Sequence, residues 1–221
     1  MKVTIFPTEP FEVENGILTV VQTSSPKFYT DFIKGLSTEN GLTISEDDEI
    51  LNFASNVTYL KDVVTNPYVF DAFKSSLQNQ VVDNLNENNR QELFRIDRRI
   101  KDIFLQSAYM EDVPLEINDE WNLKKMVKYA GIQMVSSTVE TPYDIITSVL
   151  NLFKKFNPKK LIVLNDLFNY LNSSQISDLI QVIKALDLKV LILNFSDSFK
   201  KDDFKKCRNY YIDADLVRWT D

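Results

Sequence analysis

Histidine is absent from all 221 residues, so the commonest general base and the commonest zinc ligand are both missing. Catalysis by a Ser/His or Cys/His pair is thereby excluded. The single cysteine, Cys207, permits no intrachain disulfide, which agrees with a reducing cytoplasm. Cations at Lys205, Lys206 and Arg208 would favour its thiolate, but no residue type here relays protons as histidine does, and a packing role is expected. Glycine is scarce: Gly16, Gly35, Gly41 and Gly131 stand singly. Neither the phosphate loop G-x-x-x-x-G-K-[ST] nor the fingerprint G-x-G-x-x-G occurs. No window approaches the roughly 18 consecutive apolar residues of a bilayer span. The opening residues turn polar at Thr8-Glu9-Pro10 without the apolar run of a secretory signal. A cytoplasmic protein with no membrane partner is the expectation.

What the chain does contain is a hydrophobic fraction of 44%, enough for a substantial core, and a net charge of -7. That charge repels nucleic acid on average, so any nucleic-acid site must be a local basic patch. Three patches stand out: Arg95, Arg98, Arg99 and Lys101; Lys124, Lys125 and Lys128; and Lys154, Lys155, Lys159 and Lys160. The plain alternative for each is a solvated helix face.

The N-terminal apolar runs Val3 to Phe6 and Ile17 to Val21, with Asn15-Gly16 between them, predict a strand pair, and Ile50 to Phe53 a third strand. The pattern then turns helical. Asn66-Pro67 is a capping start, with Val69, Phe73, Leu77, Val81 and Leu85 recurring at i+4. Leu93, Ile96, Ile100, Ile103 and Phe104 mark a second long helix, and about Asp119 to Ala130 a third, stopped by Gly131. Two helices of about 20 residues, each about 30 Å long, suggest an antiparallel arm.

From Thr141-Pro142 the pattern alternates. Ile145, Val149, Leu152, Phe153 and Phe156 form one helical stripe, and Ile176, Leu179, Ile180 and Ile183 another. The fully apolar runs Leu161 to Leu164 and Val190 to Leu193 read as strands covered on both faces. That is a βαβ unit, hence a parallel sheet, with a last strand at Tyr210 to Ile212. The fold expected is α/β: a parallel-sheet head from residues 1–57 and 141–221, with an inserted α-helical leg at 58–140. Leu161-Ile162-Val163-Leu164-Asn165-Asp166 looks like the strand and terminal acid that hold magnesium in nucleotide hydrolases, but without a phosphate loop it is half a site, and a polar turn closing a buried strand is the plainer account.

Glu111, Asp112, Glu116, Asp119 and Glu120 crowd the stretch between the second and third helices of the leg. Carboxylates and loop carbonyls suit calcium, which accepts six to eight oxygens in irregular geometry. The competing account is that Asp119 and Glu120 favour the positive end of the next helix. Glu46-Asp47-Asp48-Glu49 reads as an exposed turn.

A resemblance follows from order and pattern. Pro114-Leu115-Glu116-Ile117-Asn118-Asp119-Glu120 precedes a helix ending Tyr129-Ala130-Gly131-Ile132. Then come the helix through Phe153-Lys154-Lys155-Phe156, the strand Lys159 to Asn165 and the helix opened by Asn172-Ser173-Ser174. This succession resembles the CRISPR-associated Csn family, type II-A spacer-acquisition proteins, most clearly in the C-terminal half. The resemblance implies a head like a degenerate P-loop nucleotide-hydrolase fold, a helical leg, and a homotetrameric ring without catalytic activity that encircles linear double-stranded DNA ends. It implies calcium, held through Glu116, Asp119 and Glu120, and DNA contacts at Lys124, Lys125 and Lys128, then Arg98 and Arg99. The partners it implies are the integrase and the RNA-guided nuclease of the same locus. Two rival readings remain: a small-molecule-binding α/β enzyme using Asp166 and Asp197, and a helical-arm scaffold that binds another protein.

Overall fold

The computed structural model describes residues 1–66, 68–110, 115–118, 120–132, 134, 141–197 and 207–220. In chain order the elements are β1 (Lys2–Ile5), β2 (Phe11–Glu12), β3 (Leu18–Thr23), α1 (Pro26–Thr38), β4 (Leu42–Glu46), β5 (Glu49–Ile50), α2 (Phe53–Asn56) and β6 (Val57–Leu60). A 3-10 turn over Val69–Phe73 leads into α3 (Lys74–Asp83), α4 (Glu87–Ala108) and α5 (Leu123–Tyr129). The chain continues through α6 (Pro142–Phe156), β7 (Leu161–Asn165), α7 (Ser173–Leu186), β8 (Lys189–Phe195), β9 (Arg208–Ile212) and β10 (Arg218–Thr220). Two compact units result, residues 1–69 with 136–221, and residues 70–135.

The first unit is mixed α/β. Its main sheet has six strands in the order β10-β9-β3-β8-β7-β6, parallel except for the antiparallel edge strand β10. Leu161, Ile162, Val163 and Leu164 are at most 2% exposed, and Val190 to Leu193 are fully buried. Successive residues of a strand face opposite ways, so burial of every residue means that both faces are covered. On one face Val21, Val163, Leu191 and Leu193 pack with Phe28, Phe32 and Leu36 of α1 and with Val3, Phe11 and Ile44 of a second, antiparallel sheet. That small sheet has the order β2-β1-β4-β5. The alternate strand residues Val20, Ile162 and Ile192 lie on the other face, against which α7 packs, with α6 beside it.

Local chemistry sets the helix starts. Thr141 Oγ1 accepts the Asp144 amide at 3.2 Å, with Pro142 in the first turn. Asn172 and Gln175 form a full capping box at α7. Ser25 caps α1 and is followed by Pro26.

Several expectations are corrected. The first two apolar runs do not pair with each other. Lys2–Ile5 pairs with β2 and β4, whereas Leu18–Thr23 sits in the middle of the main sheet between β8 and β9. Gly16, at φ 69, turns the chain between sheets instead of closing a hairpin. The third strand is not at 50–53: Phe53 begins a short helix, and Val57–Leu60 pairs with Leu161–Leu164. Residues 58–60 therefore belong to the main sheet, and the helical unit begins at 70. The first of its helices has 10 residues and packs on α5, because residues 69–73 form a 3-10 turn that buries Phe73. Pro67 lies outside the described residues.

Candidate nucleic-acid and metal interface

The helical unit positions most of the sequence-predicted site residues. Its axis is α4, 22 residues opened by Asn86, whose side chain accepts the Asn89 amide at 2.8 Å. No residue of α4 is buried. Of the apolar stripe read from the sequence, Leu93 is half-buried, whereas Ile96, Ile100, Ile103 and Phe104 are between 36% and 66% exposed, so the stripe exists but is left largely uncovered.

The α5 helix starts at Leu123, capped by Asn122, and ends at Tyr129, with Gly131 at φ 67 just beyond its C-cap Ala130. It begins later than expected, which puts Glu120 ahead of the cap, outside its first turn. Val127 anchors the helix by burial, and this turns Lys124 and Lys128, one turn apart, to solvent. Neither lysine has an ion pair among the described residues. Lys125 is different: its Nζ lies 3.1 Å from Glu120 Oε2. On α4, Arg99 is exposed and Arg98 is stacked, its guanidinium carbon 5.1 Å from the Phe94 ring centre. Phe94 meets Trp121 edge to face at 5.4 Å, joining Arg98 to the start of α5 through two rings.

Of the predicted calcium ligands, Glu116 and Glu120 are exposed. Asp119, Glu111 and Asp112 lie outside the described residues. The Glu120 amide donates to Asn118 Oδ1 at 2.8 Å, and its carbonyl accepts Lys101 Nζ at 3.2 Å. Lys101 also holds Asp97 at 2.8 Å, so an α4 ion pair fastens the segment before α5. No group of three or more acids, cysteines or histidines gathers among the described residues. The donors that are present, two carboxylates, the Asn118 amide and loop carbonyls, are all oxygens and fit a hard cation by chemistry. Glu120 has Lys125 as its counter-ion here.

In the α/β unit, Asp166 closes a local network. It sits at φ 50, a conformation tolerated mainly by Asn, Asp and Gly. Its Oδ1 accepts the Phe195 amide at 3.0 Å, and its Oδ2 accepts the Asn165 amide nitrogen at 3.2 Å and a short hydrogen bond from the Tyr29 hydroxyl. Tyr59 donates to Asn165 Oδ1 at 3.3 Å. Burial and the nearby Asp166 carboxylate push the Tyr29 phenol far above its ordinary range and the Tyr59 phenol up to about 12. The carboxylate that resembled half a magnesium site is thus committed to tying β7, β8 and α1 together. Between β3 and α1 the chain is only Ser24-Ser25, with no glycine-rich loop for phosphate. Asp197 is exposed, and its carbonyl accepts a long bond, 3.5 Å, from the Tyr211 hydroxyl. Cys207 is not activated: burial pushes its thiol up to about 12, opposite to the effect expected from flanking cations.

Sequence reasoning passed over Phe94, Trp121 and the Asp97–Lys101 pair. Trp121 is one of only two tryptophans and directly precedes a capping asparagine, a signal that was available.

Among the described residues no helix is long and apolar enough to cross a membrane. No curated protein matches the chain by sequence. The crystal structure of Stu0660 of Streptococcus thermophilus superposes with a TM-score of 0.60 at 14% identity, covering 100% of this chain and 76% of that one. At that identity the likeness shows a shared fold. The family profile for the CRISPR-associated protein Cas_Csn2 matches residues 38–216, spanning β4 through the hairpin that follows β9. The resemblance seen in the residue order is borne out, and the chain belongs to the Csn2 family of CRISPR-associated proteins.

Proposed function

We propose that this CRISPR-associated protein is a non-catalytic, sequence-independent binder of double-stranded DNA ends that works as a calcium-stabilised homotetrameric ring in spacer acquisition. The observation that carries the reading is the pairing of two features on the helical unit. Lys124 and Lys128 present exposed cations on one helix face, without an ion pair among the described residues, and α4 leaves an apolar stripe uncovered. Cations without carboxylate partners are free to neutralise phosphates, which gives salt-sensitive, base-independent affinity. A stripe containing Ile103 and Phe104, together with a groove of about 560 Å³ lined by Ile100, Phe104, Met126 and Tyr129, is a surface that self-association would cover. A ring of such subunits reconciles the acidic chain with DNA by facing its few basic patches inward. Arg98, Arg99 and Lys125 are assigned supporting phosphate contacts.

Calcium would be held by Glu116, Asp119 and Glu120, supplying charge that fixes the segment before α5. The integrase and the RNA-guided nuclease of the same locus are the proposed partners. The commitment of Asp166 to a structural network disfavours the enzyme reading. The scaffold reading is favoured by the same apolar groove, and DNA is what separates it.

The test is a mobility-shift titration on linear and covalently closed duplexes of identical sequence, with calcium and with chelator. Calcium-dependent binding confined to linear DNA is expected. Equal binding to both forms refutes end-loading, and binding to neither leaves the scaffold.

A further inference from the structure

A second groove in the helical unit has a different character from the apolar one. It measures about 520 Å³ and is lined by Phe94, Trp121, Arg90, Arg95, Gln91 and Glu87, with Leu123 at its end. Ligand pockets fall in the range of about 300 to 1,000 Å³. Two aromatic rings at 5.4 Å form part of its wall, and the Arg98 guanidinium lies over one of them. Arg90 is occupied structurally, donating from Nε to the Leu85 carbonyl at 3.0 Å and from Nη2 to the Val82 carbonyl at 2.6 Å. Arg95 is not held in that way. Its contact is Glu92 at 3.2 Å, with the side chains 73% and 62% exposed. Exposed pairs of this kind contribute little and exchange readily for a stronger anion. Glu87, the acid in the lining, accepts from Gln91 Nε2 at 3.2 Å.

Aromatic faces flanked by guanidinium groups are the chemistry by which proteins hold single-stranded nucleic acid, because every base has a π-face and every nucleotide a phosphate. We propose that this groove takes an unpaired nucleotide, with its base against the Phe94 and Trp121 rings and its phosphate on Arg95. A frayed or overhanging strand at a duplex end is its source. The inference deepens the DNA-end reading and rests on it for that source. The rings and arginines come from α4 and from the residues leading into α5, the same segment that carries Lys124 and Lys128, so one helical unit would hold both duplex backbone and terminal nucleotide.

Trp121 itself reports on the site. In full-length protein carrying Trp219→Phe, Trp121 is the remaining tryptophan, and its fluorescence is titrated with oligothymidylate, blunt duplex, duplex with a 3′ overhang, and thymidine monophosphate. Saturable quenching by the oligonucleotide and the overhang duplex, but not by the blunt duplex, is expected. Phe94→Leu, which keeps an apolar side chain, should weaken the overhang complex roughly tenfold by removing one stacking face. Arg95→Gln should weaken it several-fold, and Glu87→Gln should tighten it by removing the nearby acid. Absence of quenching by oligonucleotide and overhang while blunt duplex still shifts in a gel would overturn the pocket and spare the DNA-end reading. Quenching by oligonucleotide with no duplex bound in any form would do the reverse. Monophosphate quenching as strong as that of the overhang would overturn the assignment to a strand end.

Discussion

In the α/β unit the four residues Leu161 to Leu164 are at most 2% exposed, whereas in the helical unit Ile103 is 48% and Phe104 66% exposed. Both sets of residues are large and apolar in the sequence. The strand finds helices or a second sheet on each of its faces. The helix finds short neighbours that cover it incompletely. Apolar density in a sequence therefore measures what must be buried, not whether the same chain does the burying. In the α/β unit the polar groups serve structure, as Asp166 does, while in the helical unit Lys124 and Lys128 are exposed and have no ion pair among the described residues.

The largest expected effect sharpens this contrast. Phe153→Ala, at a side chain 1% exposed, should lower unfolding free energy by about 3–5 kcal/mol. Phe104→Ala should stay within about 0.5 kcal/mol for the isolated subunit, and, if the proposed self-association holds, lower the sedimentation coefficient. Urea midpoints for the two variants would break the comparison if they moved equally. Next, Asp166→Ala strands the Phe195 amide and the Tyr29 hydroxyl and should cost about 2–3 kcal/mol. Asp166→Asn should cost less, since asparagine accepts the same backbone conformation. The phenols of Tyr29 and Tyr59 are raised in the folded state, so their contribution is complete below pH about 10 and is lost as pH rises through the folded values. Melting curves between pH 8 and pH 11, in round terms bracketing the free phenol value, should fall less steeply for Tyr29→Phe.

The fourth prediction concerns the helical unit. Lys124→Ala with Lys128→Ala should leave stability unchanged and reduce the salt slope of DNA binding by about 1.8, at about 0.9 per phosphate contact. Fluorescence anisotropy at several salt concentrations reads this directly, and an unchanged slope removes these lysines from the interface. The smallest effect is Glu46→Gln. Its short hydrogen bond to Lys189 holds the carboxyl below its usual range, so its contribution is present above about pH 4.5 and fades as pH falls through the lowered value. With Glu46 39% exposed, solvent screening keeps that contribution below about 1 kcal/mol. Melts of the variant and the parent should differ near neutral pH and converge in acid.

The βαβ portion was readable because its signals are local and redundant. Thr141-Pro142 and Asn172 to Gln175 are caps, and the apolar run that follows each of the two helices has strand length. The N-terminal third was harder. Lys2–Ile5 and Leu18–Thr23 look alike in sequence, and only pairing partners more than 150 residues away place the second in the main sheet. Helix α1 went unassigned although Ser25-Pro26 and the spacing of Phe28, Phe32 and Leu36 announce it. At the candidate site, the exposed face of Lys124 and Lys128 was legible from helical spacing, but the capture of Lys125 by Glu120 was not, because it depends on where the helix begins.

The sequence by itself determined the chemistry available. Without histidine or a glycine-rich loop, and with one cysteine, it excluded the commonest catalytic and phosphate-binding devices and specified the parallel βαβ core. Only the tertiary structure decided which apolar residues are covered, that Asp166 is spent on Tyr29 and Phe195, and that Phe94 of α4 meets Trp121 ahead of α5. The physical reason is range. Caps, turns and periodicity act over a few residues and are written where they act. Burial and side-chain pairing depend on contacts between residues distant along the chain, which exist only once it has folded.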